Sequence, residues 1–107
     1  MALFFFFGVD HPEHGAAKRA ALRPDHSAYV REGRPSIVLA SPLLDGSGAI
    51  CGSLLMFEMN TEREVRAWVE QEPFHAGGVY QHAIVRRFEL GQNRLPQRGW
   101  PDEAGAA

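Results

Sequence analysis

The stretch Ala2-Leu3-Phe4-Phe5-Phe6-Phe7-Gly8-Val9 decides the fold. Its apolar residues run without a helical interval, are rich in phenylalanine, and stop at the turn residues Asp10 and Pro12. Aromatic and β-branched residues suit a pleated, half-buried surface, so the run reads as a buried strand. It is too short to span a membrane, which takes about 20 apolar residues. It also has neither the basic leader nor the small-residue cleavage site of a secretory signal. Side chains alternate along a strand, so Leu3, Phe5 and Phe7 point to one side of a sheet and Phe4 and Phe6 to the other. A solvated sheet face is polar, so both sides of this strand need cover.

The rest of the chain supplies that cover on one side. Residues 13–33 read as helical, with Ala16, Ala17, Ala20, Ala21 and Leu22 favouring the helix. Pro24 interrupts this segment and has no N–H to give. The expectation is a kink, or a short helix followed by a second one from Pro24 to Glu32, with Gly33 as the stop. Residues 36–43 and 50–59 read as strands, and the turn Asp45-Gly46-Ser47-Gly48 between them makes a hairpin. Thr61 and Glu64 fit a capping box in which each side chain satisfies the other residue's backbone donor. The helix they start has Val65, Trp68 and Val69 on its apolar face and ends at Pro73. Residues 79–88 form the last strand, with Tyr80, His82 and Ile84 on one side and Val79, Gln81, Ala83 and Val85 on the other.

The order is β-α-β-β-α-β, an α+β ferredoxin-like arrangement with antiparallel strands and both helices on one face. The other sheet face is left for a second copy of the chain, which makes a homodimer with the sheets facing each other. Residues 1–88 form one domain. Residues 89–107 are expected to be an extended or partly disordered tail, anchored by Trp100.

Composition agrees with one small domain. The chain has 107 residues, 45% of them apolar and 22% charged, enough for a packed core of modest size. The net charge of -2 argues against sequence-independent binding to nucleic acid or to an anionic membrane. The third strand, Gly52-Ser53-Leu54-Leu55-Met56-Phe57-Glu58, also lacks the basic residue and paired aromatics of base-stacking sheets. The one cysteine, Cys51, allows no internal disulfide and fits a reducing, cytoplasmic setting.

Few residues are candidates for chemistry. Leu22, His26, Tyr29 and Val30 share one helical face, the one that packs on the sheet, so His26 points inward. An imidazole there is either a satisfied core residue or a general acid/base. Glu72 stands at a helix C-terminus, where an acid opposes the dipole; it is either a solvated surface acid or a carboxylate kept for a partner. Ser53 lies among apolar strand residues and bonds either the backbone or a ligand, with no nucleophile elbow around it. Asp10-His11-Pro12-Glu13-His14 gathers metal-ligand types at a turn, but no second cluster completes a tetrahedral site, so no metal is expected. Cys51 has no activating neighbours in the sequence, and Asp45 and Ser47 read as turn residues.

Several segments together resemble the YciI-like (YCII-related) family. Arg23-Pro24-Asp25-His26-Ser27-Ala28-Tyr29-Val30 is similar to its Arg-x-x-His-x-x-x-Leu helix, and Ala40-Ser41-Pro42-Leu43 to its Ala-Gly-Pro strand end. Gly52-Ser53 matches its Gly-Ser pair, and Glu72-Pro73-Phe74-His75-Ala76-Gly77-Gly78-Val79-Tyr80 matches its Asp-Pro-Tyr/Phe-x-x-Ala-Gly-Val-Tyr segment. The resemblance implies dimeric α+β barrels and a His–Asp pair in a pocket between helices and sheet. It carries the catalytic pair to His26 and Glu72, and substrate binding to Arg23 and Ser53. The family's Asp is Glu here, one methylene longer, so the carboxylate must fold back to reach the imidazole.

Three functional readings follow. In the first, the chain is a small cofactor-free enzyme, a lyase or isomerase, with His26 as general acid/base on a small molecule and Glu72 fixing its tautomer. In the second, the same pocket binds a metabolite without turning it over. In the third, the fold serves only for dimerisation, and side chains fill the pocket.

Overall fold

The alternation expected of the phenylalanine run appears directly in the computed structural model, which describes residues 1–96. Phe4 and Phe6 are buried, Phe5 is half-buried and Phe7 is exposed. The run belongs to β1 (Ala2–Asp10), followed by α1 (Gly15–Glu32), β2 (Ile37–Leu44), β3 (Ile50–Met59), α2 (Glu62–Gln71), the short α3 (Pro73–Ala76) and β4 (Tyr80–Phe88). β1 pairs antiparallel with both β3 and β4, and β2 pairs antiparallel with β3, giving the strand order β2-β3-β1-β4. This is the ferredoxin-like arrangement.

The core lies between the sheet and the helices. Phe4, Phe6, Ile37, Leu55, Phe57 and Val85 rise from the sheet to meet Val30 of α1 and Val65 and Val69 of α2. Trp68 seals the seam: its ring stands edge-on to Phe57 at 5.2 Å, and Tyr29 of α1 donates to its backbone carbonyl at 2.7 Å. The opposite sheet face presents Phe5, Phe7, Leu54, Met56, Ile84 and Phe88, all half-buried or exposed in the single chain.

Two local expectations are corrected and two are refined. First, α1 is one helix through Pro24. Pro24 and Ala20 both face solvent, so water can take the carbonyl that the proline leaves without a partner. Second, the Thr61 capping box is half formed: Glu64 N–H donates to Thr61 Oγ1, but the return bond runs from the Thr61 hydroxyl to Glu64 Oε1. Third, Pro73 ends α2 and also opens α3 at its first turn. Fourth, Tyr80 does not share a face with His82 and Ile84. The β1–β4 register shifts between Val9 and Asp10, pairing Val9 with His82 but Asp10 with Tyr80. That bulge turns Tyr80 toward the helices.

The hairpin is as expected. Asp45 Oδ1 accepts from the Ser47 hydroxyl at 2.7 Å and from the backbone of Ser47 and Ala49, and these bonds hold its carboxyl below the usual range. Residues 89–96 form neither helix nor strand and are exposed. Trp100 lies outside the described residues. No helix among the described residues is long and apolar enough to cross a membrane.

Phe57 is fully buried at the centre of this core. Phe57→Ala is expected to lower the unfolding free energy by about 3–5 kcal/mol, read as a fall in the urea midpoint at constant m-value.

Candidate active site

The inward face of α1 carries Arg19 and His26, and the site is built from what each of them requires. Arg19 is 6% exposed. A buried guanidinium needs an anion, and Asp10 at the end of β1 provides it: Nε donates to Oδ2 at 2.9 Å and Nη2 to Oδ1 at 2.6 Å. Burial alone would lower the Arg19 pKa, but the hydrogen bond and charge of Asp10 outweigh it and hold it above the ordinary value. Arg19 Nη2 also donates to Ser53 Oγ at 3.0 Å, and the Tyr80 hydroxyl donates to that same oxygen at 2.8 Å. Gly8 makes room for Tyr80, because a Cβ at that position would sit 2.7 Å from the phenol ring. Gly78, at φ +79°, turns the chain from α3 into β4 and so delivers Tyr80 to the site.

His26 lies further along the same helical face. Its Nδ1 donates to Glu72 Oε1, and the other carboxylate oxygen, Oε2, accepts from the His75 backbone N–H at 2.8 Å. Glu72 is 2% exposed. The sequence placed it at the unfavourable end of α2, but its side chain caps the start of α3, where an acid is favoured. Both carboxylate oxygens are therefore engaged, and the longer glutamate reaches the imidazole. The His26 ring lies flat against Phe74, with centroids 3.8 Å apart and planes 6° from parallel. Phe74 also receives the Arg19 guanidinium, 4.7 Å from its ring centre. With Nδ1 held by the carboxylate, Nε2 is the nitrogen free to exchange a proton.

A cavity of about 190 Å³ opens between α1 and the sheet, lined by Arg19, Arg23, His26, Pro42, Ser53 and Phe74 among others. An apolar cavity of about 150 Å³ is enough to hold benzene in an engineered protein, so a single substituted ring fits this space. Arg23 is exposed at the mouth. The strand end Ala40-Ser41-Pro42 forms one wall.

Residues 2–89 match the model of the YCII-related domain. The chain belongs to the YCII-related family. Two curated relatives called Protein YciI, from Escherichia coli O6:H1 and Shigella flexneri, are each 31% identical over 80 residues, covering 67% of this chain and 82% of theirs. Among solved structures, the chain is similar to 5-chloro-2-hydroxyhydroquinone dehydrochlorinase from Burkholderia phenoliruptrix AC1100, determined with 2,5-dihydroxybenzoquinone. The TM-score is 0.75 at 30% identity, covering 83% of this chain and 95% of that one.

In this YCII-related chain, His26, Glu72, Arg23 and Ser53 all come to the one region, with His26, Arg23 and Ser53 on the cavity wall and Glu72 behind His26. Sequence reasoning missed Arg19 and Asp10. Arg19 precedes Leu22 by three residues and His26 by seven, so helical phase alone puts a charged side chain on the sheet-facing stripe. The sequence groups Asp10 with the histidine turn, but it is the counter-ion of Arg19. In that turn the His11 ring acts as a cap: its Nδ1 accepts from the backbone N–H groups of Glu13 and His14.

Burial pushes the Tyr80 phenol far above its ordinary range. Ser53 and Arg19 oppose that shift, while the Glu72 and Asp10 charges add to it. The folded phenol stays neutral when the unfolded one ionises near pH 10, so its stabilising contribution is whole below that pH and is lost as pH rises. Urea unfolding is expected to show stability falling by up to about 1.4 kcal/mol per pH unit from this group above about pH 10, and Tyr80→Phe flattens that slope.

Proposed function

We propose that this YCII-related protein is a small-molecule enzyme that uses His26 as a general acid/base on a hydroxylated, single-ring substrate. The observation that carries the reading is the His26–Glu72 hydrogen bond at the wall of a cavity of about 190 Å³. Glu72 accepts the Nδ1 proton, fixes the tautomer and stabilises the imidazolium that forms when Nε2 takes a proton. The electron pair left on the substrate forms a new π bond as a leaving group departs with its own pair, or returns to a proton at another carbon. The first outcome is an elimination of H–X, and the second is an isomerisation. Neither consumes an oxidant or a reductant, so no cofactor enters the scheme.

The dehydrochlorinase likeness supports the substrate class: that protein's name describes a halide elimination from a chlorinated, hydroxylated ring. Phe74 lines the cavity and backs the His26 ring, holding the imidazole flat beside the space a substrate ring would fill. Arg23 at the mouth is the cation for an anionic substituent, since Arg19 is already neutralised by Asp10. The reading extends to a homodimer. The open sheet face, with Phe7 38% and Ile84 37% exposed, is best covered by the same face of a second copy.

The test is turnover of chlorinated and unchlorinated hydroxyhydroquinones, followed by absorbance and halide release. His26→Asn should lower kcat by about 10²–10⁴ with the fold intact. Glu72→Gln should cost less, because the base remains. Arg23→Gln should raise KM and leave kcat nearly unchanged. Tight binding with no turnover of any such ring would favour a metabolite-binding module instead. Light scattering is expected to give twice 11.9 kDa for the natural chain and 11.9 kDa for Phe7→Glu.

A further inference from the structure

Ser53 has a constraint that its neighbours impose. A serine hydroxyl carries one donor and two acceptor lone pairs. Arg19 Nη2 and the Tyr80 hydroxyl both donate to Ser53 Oγ, at 3.0 and 2.8 Å. A guanidinium has no lone pair to accept a bond in return, and the phenol proton points at the serine. Both acceptor positions are therefore filled, and the Ser53 proton must go elsewhere. Ser53 is one of the residues that line the cavity, on the same wall system as His26.

We infer that Ser53 donates its hydroxyl hydrogen bond into the cavity, to the substrate oxygen on which negative charge develops, and that Arg19, Tyr80 and Asp10 are positioning residues acting through it. The inference rests on the acid–base reading of His26 and deepens it. When Nε2 of His26 removes a proton, the electron pair left behind is carried on a ring oxygen. Ser53 then stabilises that oxygen with its bond to hydrogen intact, so no atom is transferred at this end of the site. Two donors on Oγ, one of them cationic, polarise the hydroxyl and strengthen the bond it gives. The orientation is set before the substrate arrives, because Asp10 locks the guanidinium in a bidentate pair and burial keeps the phenol neutral. Arg19 thus serves the reaction by orienting Ser53, and its charge is not available to hold a substrate anion.

The test uses 4-nitrocatechol, a single hydroxylated ring whose absorbance reports its ionisation. In the natural chain the bound ring is expected to ionise at lower pH than the free one. Ser53→Ala and Ser53→Cys should each weaken the anion by about tenfold and leave the neutral form within about twofold, moving the bound ring's ionisation back toward the free value. Ser53→Thr should restore the natural behaviour. Tyr80→Phe releases one lone pair on Oγ and should give a shift in the same direction, smaller than that of Ser53→Ala. A core role for Ser53 would weaken both forms equally. If the alanine and cysteine variants bind the anion as tightly as the natural chain, the inference is overturned while the role of His26 stands. If the natural chain binds neither form, both fall together. If the natural chain prefers the anion and only His26→Asn removes that preference, the donor is the imidazole and the assignment to Ser53 is wrong.

Discussion

The ion pair between Arg19 and Asp10 is the constraint on which the site depends. Both side chains are more than nine-tenths buried, at 7% and 8% exposure. Such a pair gains little net stability over an apolar one, yet removing one partner leaves an uncompensated charge that costs about 3–5 kcal/mol. Its value lies in geometry. Asp10 is the last residue of β1 and Arg19 sits one turn into α1, so the pair fixes how the helix leaves the sheet. The same helix carries His26 to Glu72 and Arg19 to Ser53.

Small backbone features then bring side chains to the site from five elements. The register shift at Asp10 swings Tyr80 to the helix side, and Gly8 leaves the space that its ring occupies. Gly78 reverses the chain between α3 and β4. The short α3 gives Glu72 a helix start to cap, which orients the carboxylate with one oxygen on His75 N–H and the other on His26. Phe74, in the same turn, forms the floor against which both the imidazole and the guanidinium lie. The site therefore has two polar arms meeting over one aromatic ring, His26–Glu72 and Arg19–Asp10–Ser53–Tyr80. The first is suited to moving a proton, and the second to holding a hydroxyl in a set direction.

The glutamate at position 72 shows how such a site tolerates a change of side-chain length. Where the family pattern has aspartate, one added methylene could have carried the carboxylate past the imidazole. The cap on α3 prevents this, because the bond from His75 N–H anchors one oxygen and leaves the other facing His26.

The sequence by itself determined the order of elements, the inward face of α1 and the family. These depend on period, turn chemistry and capping, which act over a few residues: the phenylalanine alternation, Asp45 in its turn, and the Leu22-His26-Tyr29-Val30 stripe. It also pointed to His26, because helical phase shows which side faces the sheet. Tertiary structure alone decided which partners those inward residues meet. Asp10 has the sequence context of a turn acid, and a charge such as Arg19 on a buried stripe is explained only by an anion from another element. Strict alternation puts Tyr80 on the wrong face because it cannot see a bulge, which arises when two strands pair. Between the kink and the two helices that Pro24 allowed, the structure has one helix, with Pro24 and the Ala20 turn it leaves without a donor both on the exposed side, and exposure is fixed only once the helix has docked.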